Sequence, residues 1–222
     1  MFKYSLLVTS CGRHELLAQT LNSFIEQADV LPQETIIVED GPTPAPHWIN
    51  AGHMENLGVI KWINKAERKG QLNSADRLWA ECSNEIAFWS EDDWCYTQSG
   101  FMQKSYDILS KYPEVFTVSL RGSALTNWQP LVNDPRFPFQ ILQPGYSHGW
   151  GGFTFNCGLR RKKDFIRIGG SYSSLVTQTS TPAFELEMSK QHIDMGYVIP
   201  DIGQFIEHIG AAHSCYREEE WK

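Results

Sequence analysis

No run of apolar residues in the chain approaches the roughly 18 that a membrane-crossing helix needs, so no spanning segment is expected. The N-terminus, Met1-Phe2-Lys3-Tyr4, passes at once into a strand-like run, which argues against a signal peptide. The five cysteines (Cys11, Cys82, Cys95, Cys157, Cys215) are odd in number and widely spaced, with no C-x-x-C pair. That excludes a disulfide framework and a cysteine zinc site, and fits a reducing compartment. Basic residues are in deficit: 19 Lys and Arg against 26 Asp and Glu, a net charge of −7. The one basic cluster is Arg160-Arg161-Lys162-Lys163, read first as a solvated helix start and only then as a patch that steers an acceptor or neutralises phosphate. Duplex nucleic acid needs a broad basic surface, so it is excluded as a main partner. There is no internal repeat and no stretch of linker composition.

What is present is an ordinary globular composition, 41% hydrophobic with 13% aromatic residues, in a chain long enough for one continuous core. Short apolar runs alternate with helical periodicity. Tyr4 to Thr9 reads as a buried strand, and Leu16, Leu17, Leu21, Phe24 and Ile25 recur at helical spacing. Glu34 to Val38 and Leu57 to Ile63 read as strands, Ala75 to Cys82 as a helix, and Glu85 to Trp89 as a fourth strand. A helix near Phe101 to Leu109 and a strand at Val115 to Leu120 complete five β–α alternations. Such alternation predicts an α/β domain with a mostly parallel sheet flanked by helices. From Arg121 to Gly152, prolines and glycines break the pattern into a long irregular segment, which in a compact domain is usually functional. Helices return near Lys162 to Ile168 and Pro182 to Met195, and a solvated tail follows from residue 215.

Ligands of open α/β sheets bind outside the carboxyl ends of the strands. Three clusters fall there: Thr9 to Arg13, Glu39-Asp40-Gly41, and Glu91-Asp92-Asp93. Adjacent carboxylates closing a buried strand are costly without a cation, and an oxygen-only set suits Mg²⁺ or Mn²⁺ shared with phosphate oxygens. The plainer reading is a solvated turn that stops the strand. The segment from His148 to Gly152 (HGWGG) offers the Trp150 indole as a sugar platform, or else a tight turn with Trp150 packed on the sheet.

The order VTSCGR, IIVEDG, NKAERKGQLNSADRLW and IAFWSEDDW resembles the GT-A glycosyltransferases, most closely the inverting family 2 type. The resemblance continues through NCGLRRKKDFIRIGG, similar to the family's strand, helix and Gly-Gly turn beside the acceptor, and through FELEMSKQHIDMGYVI and IEHIG, nearly the whole chain. The E-D-D form is also similar to that of N-acetylglucosaminyltransferases acting on glycoproteins. The resemblance implies a single nucleotide-diphospho-sugar transferase domain over residues 1–214, with 1–120 binding the nucleotide sugar and 121–214 the acceptor. It implies that Thr9 and Arg13 line the base and ribose pocket, with Glu39 or Asp40 bonding the base or ribose. Arg68, Lys69 and Gly70 would reach the base and phosphates, with Asn73 and Asp76 following on their helix. Asp93 would hold the metal, while Asp92 and Glu91 contact the ribose, donor sugar or metal waters. The β2 acids depart from the family pattern, being shifted to Glu39-Asp40 with no serine after Gly41, which leaves the nucleotide open among UDP, GDP and dTDP, UDP first.

By the same resemblance Glu185 is the general base that takes the acceptor hydroxyl's proton, which makes the reaction inverting. Glu187 lies two residues on, and two residues apart on a helix do not face the same way, so only one can enter the site. The alternative for both is a helix N-terminus capped by Thr181 and Pro182, where acids favour the dipole. His208 resembles the late histidine that ligates the metal or diphosphate, with His213 a competitor. An imidazole ligand favours Mn²⁺ over Mg²⁺.

The expectation is therefore a metal-dependent glycosyltransferase, cytoplasmic with room for work at a membrane surface, moving sugar from a nucleoside-diphosphate sugar to a carbohydrate, lipid-linked or other hydroxyl acceptor. One rival is a non-catalytic nucleotide- or carbohydrate-binding module on the same fold. The other, a sugar-nucleotide nucleotidyltransferase, normally carries a G-x-G-x-R stretch after the first strand, which Ser10-Cys11-Gly12-Arg13 lacks.

Overall fold

Two strands buried at every position, β1 (Ser5–Ser10) and β2 (Glu34–Glu39), form the centre of the molecule, as parallel strands covered on both faces do. The computed structural model describes residues 2–50, 54–122, 129–175 and 181–210. Between and after the first two strands come α1 (His14–Gln27), the short α2 (His47–Asn50), β3 (Val59–Asn64), α3 (Gln71–Glu81), β4 (Ile86–Glu91) and β5 (Trp94–Tyr96). Then follow α4 (Phe101–Lys111), β6 (Leu131–Asn133), β7 (Gln140–Leu142), β8 (Gly158–Arg161), α5 (Lys162–Arg167), α6 (Thr181–Asp194) and β9 (Ile206–His208).

The central sheet has five strands in the order β3-β2-β1-β4-β8. β1 pairs in parallel with β2 from Ser5↔Glu34 to Ser10↔Glu39, and with β4 from Ser5↔Ala87 to Thr9↔Glu91. Alternation sends Leu6, Val8, Ile37 and Phe88 to one face, against Leu17, Leu21 and Phe24 of α1 and Phe101 and Leu109 of α4. Leu7, Ile36, Val38 and Trp89 go to the other, against Leu78 and Trp79 of α3, Phe165 of α5 and Phe184 of α6. The result is the three-layer α/β domain that the alternation predicts. No helix among the described residues is long and apolar enough to cross a membrane.

Three expectations are corrected. Val115 to Leu120 is not the fifth strand of the central sheet. It is extended, and tied by isolated bridges Val115↔Val198 and Ser119↔Asp201. The fifth place belongs to β8, antiparallel to β4 from Gly158↔Trp89 to Arg161↔Ile86, because the chain enters it from the carboxyl end of the sheet. The 121–152 segment, read as irregular, contains the β6–β7 hairpin and a tight turn with a Tyr146↔Trp150 bridge.

The third correction concerns the basic cluster. Lys163 is exposed, but Arg160 and Arg161 are buried in β8. Buried charges are costly unless they are paired or hydrogen-bonded. Arg161 bonds Asp164 at 2.6 Å and the carbonyls of Leu109, Pro113 and Val115 where α4 ends. Arg160 bonds the Thr154 and Asn156 carbonyls at 2.6 and 3.1 Å and lies 5.0–5.8 Å from the ring centres of Trp89, Phe116, Phe153 and Phe155. Arg161→Met leaves Asp164 with only the Tyr197 hydroxyl at 2.8 Å and orphans those carbonyls. Its expected cost is about 3–5 kcal/mol, a Tm lower by roughly 6–20 °C in calorimetry. A drop of a degree or less would show the pair to be dispensable.

Candidate functional site

The strand order reverses between β1 and β4, and the turn after β4 is Glu91-Asp92-Asp93. In open sheets this reversal opens a crevice at the carboxyl ends. Arg13, between β1 and α1, reaches across it: its Nη1 donates to Asp93 Oδ2 at 2.8 Å and its Nε to Asp92 Oδ2 at 3.3 Å, while Nη2 pairs with Asp92 Oδ1. The Cys11 amide donates to Asp92 at 3.1 Å. His208 arrives from the other side because β9 pairs antiparallel with β5, placing it opposite Trp94, with Nε2 3.1 Å from Asp93 Oδ2. Gly210 passes so close to Asp93 that a β-carbon there would collide with the carboxylate.

Four carboxylates in and beside this crevice feel burial and one another. Desolvation, with the Asp93 charge beside it, pushes Glu91 up to about 8 although the Trp94 indole N–H donates to it at 3.1 Å. Desolvation also lifts Asp92 to about 6 against the pull of Arg13. For Asp93, desolvation is outweighed by His208 and Arg13, which hold it below the ordinary range. Glu185 is raised by desolvation, opposed by the Phe155 amide and Arg160, and its charge is among those that raise Glu91.

Among the described residues no group of three His, Cys, Asp or Glu converges as a ready-made cation site. Asp93 nonetheless presents Oδ1 buried without a hydrogen-bond partner, and His208 Nε2 stands against Oδ2. One carboxylate and one imidazole fit Mn²⁺ better than Mg²⁺. Arg13 is the counter-charge on both aspartates, where the sequence places it among base and ribose contacts.

The second cluster lies at the end of β2. Glu39 accepts from the Ser10 hydroxyl at 2.8 Å. Asp40 accepts from the amides of Lys69 and Gly70, each at 2.9 Å, and from Lys65 Nζ at 3.0 Å. It thereby pins the 65–70 loop that leads into α3. Arg68 lies across the mouth, 3.8–3.9 Å from where β-carbons on Gly41 and Gly12 would sit. Thr9 is buried one residue short of the end of β1. Lys69 is exposed and pairs only with Glu67, Asn73 is tied to the Lys69 carbonyl, and Asp76 clamps Ser171 to Ser173 on the far side of α3. Those three stand outside the crevice.

The third part is a cavity of about 110 Å³ beside Glu185, lined also by Trp150, Arg121, Gln129, Thr117 and Asn156. α6 presents Glu185 inward and leaves Glu187 exposed, as their spacing requires. The Phe155 amide at 2.5 Å and the Thr154 hydroxyl at 3.3 Å both donate to Glu185 Oε1. Its Oε2 makes no hydrogen bond among the described residues. Trp150 lies in a tight turn and also lines the cavity: the turn that carries it puts Ser147 and His148 at φ 47° and 73°, a strained conformation that tends to be retained at binding sites. Sequence reasoning missed Arg121, the Thr154–Phe155 strap and Gln129. Arg121 could have been found by position, since it follows an extended segment as the other candidates do. His213 and the tail from 215 lie outside the described residues.

The model of glycosyl transferase family 2 matches residues 5–169 of the chain. No curated protein matches it. Among solved structures it is similar to S. aureus TarS, at 13% identity and TM-score 0.64, over 92% of this chain and 36% of that one. It is similar to the mannosyltransferase PcManGT from Pyrobaculum calidifontis in complex with GDP-Man and Mn²⁺, at 18% identity and TM-score 0.63, over 91% of this chain and 56% of the other. It is also similar to GalNAc-T7 with UDP, GalNAc and Mn²⁺, at 11% identity and TM-score 0.66, over 98% and 44%. At these identities the likeness is one of fold, and the chain spans 36–56% of the length of these three proteins.

Proposed function

The chain belongs to glycosyl transferase family 2, and from that membership we propose that it moves a sugar from a nucleoside-diphosphate sugar to an acceptor hydroxyl, with inversion and with a divalent metal. The observation that carries this reading is the meeting of two acidic groups at the switch point. Glu185 lines a cavity whose walls include Cys157, against Ser90, and Arg121, over Trp94; Ser90 and Trp94 are the residues on either side of the Glu91-Asp92-Asp93 turn. Donor-side acids and a base poised to activate a hydroxyl are what glycosyl transfer requires.

Residues 1–120 form the donor side in this reading. Arg68, Glu39 and Thr9 face the nucleotide end, and a UDP-sugar is the first choice of donor. Asp93 and His208 would hold the cation, Mn²⁺ before Mg²⁺, and two of the similar structures contain Mn²⁺ with a nucleotide. When bound, such a cation offsets the negative charge that builds on the departing diphosphate. Arg13 balances Asp92 and Asp93 before the donor arrives, and its guanidinium suits diphosphate oxygens once it leaves Asp93. Residues 121–214 form the acceptor side. Oε2 of Glu185 takes the proton of the acceptor hydroxyl as its oxygen attacks the anomeric carbon. Oε1 stays fixed by Phe155 and Thr154. We place the work in the cytoplasm or at its membrane surfaces, a reducing setting that suits the free thiols of Cys11, Cys82, Cys95 and Cys157.

The test is a thermal-shift series with UDP, GDP and dTDP and their sugars, with and without Mn²⁺. Stabilisation grows with ligand concentration over Kd. One nucleotide series should raise Tm with Mn²⁺ and lose the effect with EDTA. No shift for any of them would remove the donor site and leave a carbohydrate-binding module as the better account.

A further inference from the structure

The cavity beside Glu185 is richer in donors than an uncharged sugar requires. Arg121 is half-buried in its wall, with its guanidinium 5.2 Å from the Trp94 ring centre. Among the described residues that guanidinium makes no hydrogen bond or ion pair. It senses the charges of Glu185 and Glu91 without pairing with either. Two more polar atoms of lining residues, Gln129 Nε2 and Thr117 Oγ1, are buried with no partner among the described residues. Unpartnered buried polar groups are costly and uncommon, and a cluster of them around one cavity points to a ligand that completes them. Of the buried arginines, Arg161 is engaged by Asp164 and four main-chain carbonyls, whereas Arg160 donates through Nη2 alone and otherwise rests on aromatic rings.

A guanidinium fork with amide and hydroxyl groups beside it matches an oxyanion. The Trp150 indole on the same cavity matches the face of a sugar ring. Oε2 of Glu185 needs a hydroxyl. Resting on the proposed transfer reaction, we propose that the acceptor is an anionic saccharide, carrying a phosphate or carboxylate near the hydroxyl to be glycosylated, and that Arg121 reads its charge. Arg121 also resolves an electrostatic conflict. An anion entering beside Glu185 and Glu91 would be repelled unless a cation of the wall stood against it.

The experiment is a titration of the protein with glucose, glucuronate and glucose 6-phosphate by calorimetry. It is run with and without Mn²⁺ and the nucleoside diphosphate found in the thermal-shift series. The anions should bind roughly 10–100-fold more tightly than glucose, and raised salt should narrow the gap. Glucose 6-phosphate above glucuronate would make the group a phosphate, and the reverse a carboxylate. Arg121→Gln should erase the preference, whereas Arg136→Gln, an exposed arginine outside the cavity, should keep it. Should Arg121→Gln not fold, the salt dependence of the natural chain decides. Equal binding of neutral and charged sugars, no binding of either anion, or a preference that survives Arg121→Gln overturns the proposal. Nucleotide binding with no anion preference would sink only this inference, because donor recognition is measured separately.

Discussion

Glu185→Gln is expected to slow sugar transfer by about 10²–10⁴-fold, the usual contribution of a positioned general base, while donor binding stays near its original strength. The amide can still accept the Phe155 N–H at the position of Oε1, so the strap and α6 keep their places. What it cannot do is take a proton at the position of Oε2. Glu187→Gln, on the exposed side of the same helix, should change little. The pH dependence has a definite sign. Glu185 acts as a base only when ionised, and desolvation raises its pKa above the ordinary 4.5 despite the Phe155 amide, Arg160 and Thr154. The rate should therefore fall as pH drops through that raised value, at higher pH than a solvated glutamate would give. A near-normal rate for Glu185→Gln in a steady-state assay would move the base elsewhere.

Legibility in the sequence followed the range of the forces involved. The strands β1 to β4 were readable because apolar runs such as IIV and IAFW encode burial locally, and the turns that close them are acidic or glycine-bearing. β8 was not readable from composition or periodicity, only from the resemblance of NCGLRRKKDFIRIGG to a strand, helix and Gly-Gly turn. Its sequence, GLRR, looks like the start of a solvated helix, and only Trp89, Phe116, Phe153 and Phe155, from separate segments, make a buried Arg160 tolerable. The mistaken fifth strand at 115–120 has the same cause. Its composition suits a strand, but the partner it finds is the loop around Val198 and Asp201, and pairing over that distance leaves no local mark.

The site divides in the same way. Asp93 and Glu185 were named from motif order, and the fold places both at the crevice or its adjoining cavity. Asp40 was named for a nucleotide contact, yet its carboxylate meets two amides and a lysine. A sequence shows that an acid ends a strand, but not whether the neighbouring loop has already satisfied it. Arg13 makes the converse point: its ion pairs with Asp92 and Asp93 join residues about eighty positions apart.

Asp93→Asn should remove metal-dependent nucleotide binding, by at least about 10²-fold in affinity with Mn²⁺ present, since even outer-shell partners of a metal typically contribute 10–100-fold. Asparagine is the informative replacement. It fills the same space against Gly210, so lost affinity reports charge and ligation, not a cavity. The apo fold should tolerate it, because two opposing changes meet there. Arg13 and His208 lose one anionic partner, and Glu91 loses the neighbouring charge that helps push it up to about 8. Arg13 keeps Asp92 in either case. Calorimetric titration of the nucleotide with and without Mn²⁺ separates the outcomes. Affinity that falls only in the presence of Mn²⁺ assigns Asp93 to the cation. Affinity unchanged under both conditions would leave Arg13 as the positive charge that meets the diphosphate, and the reaction would then proceed without a metal.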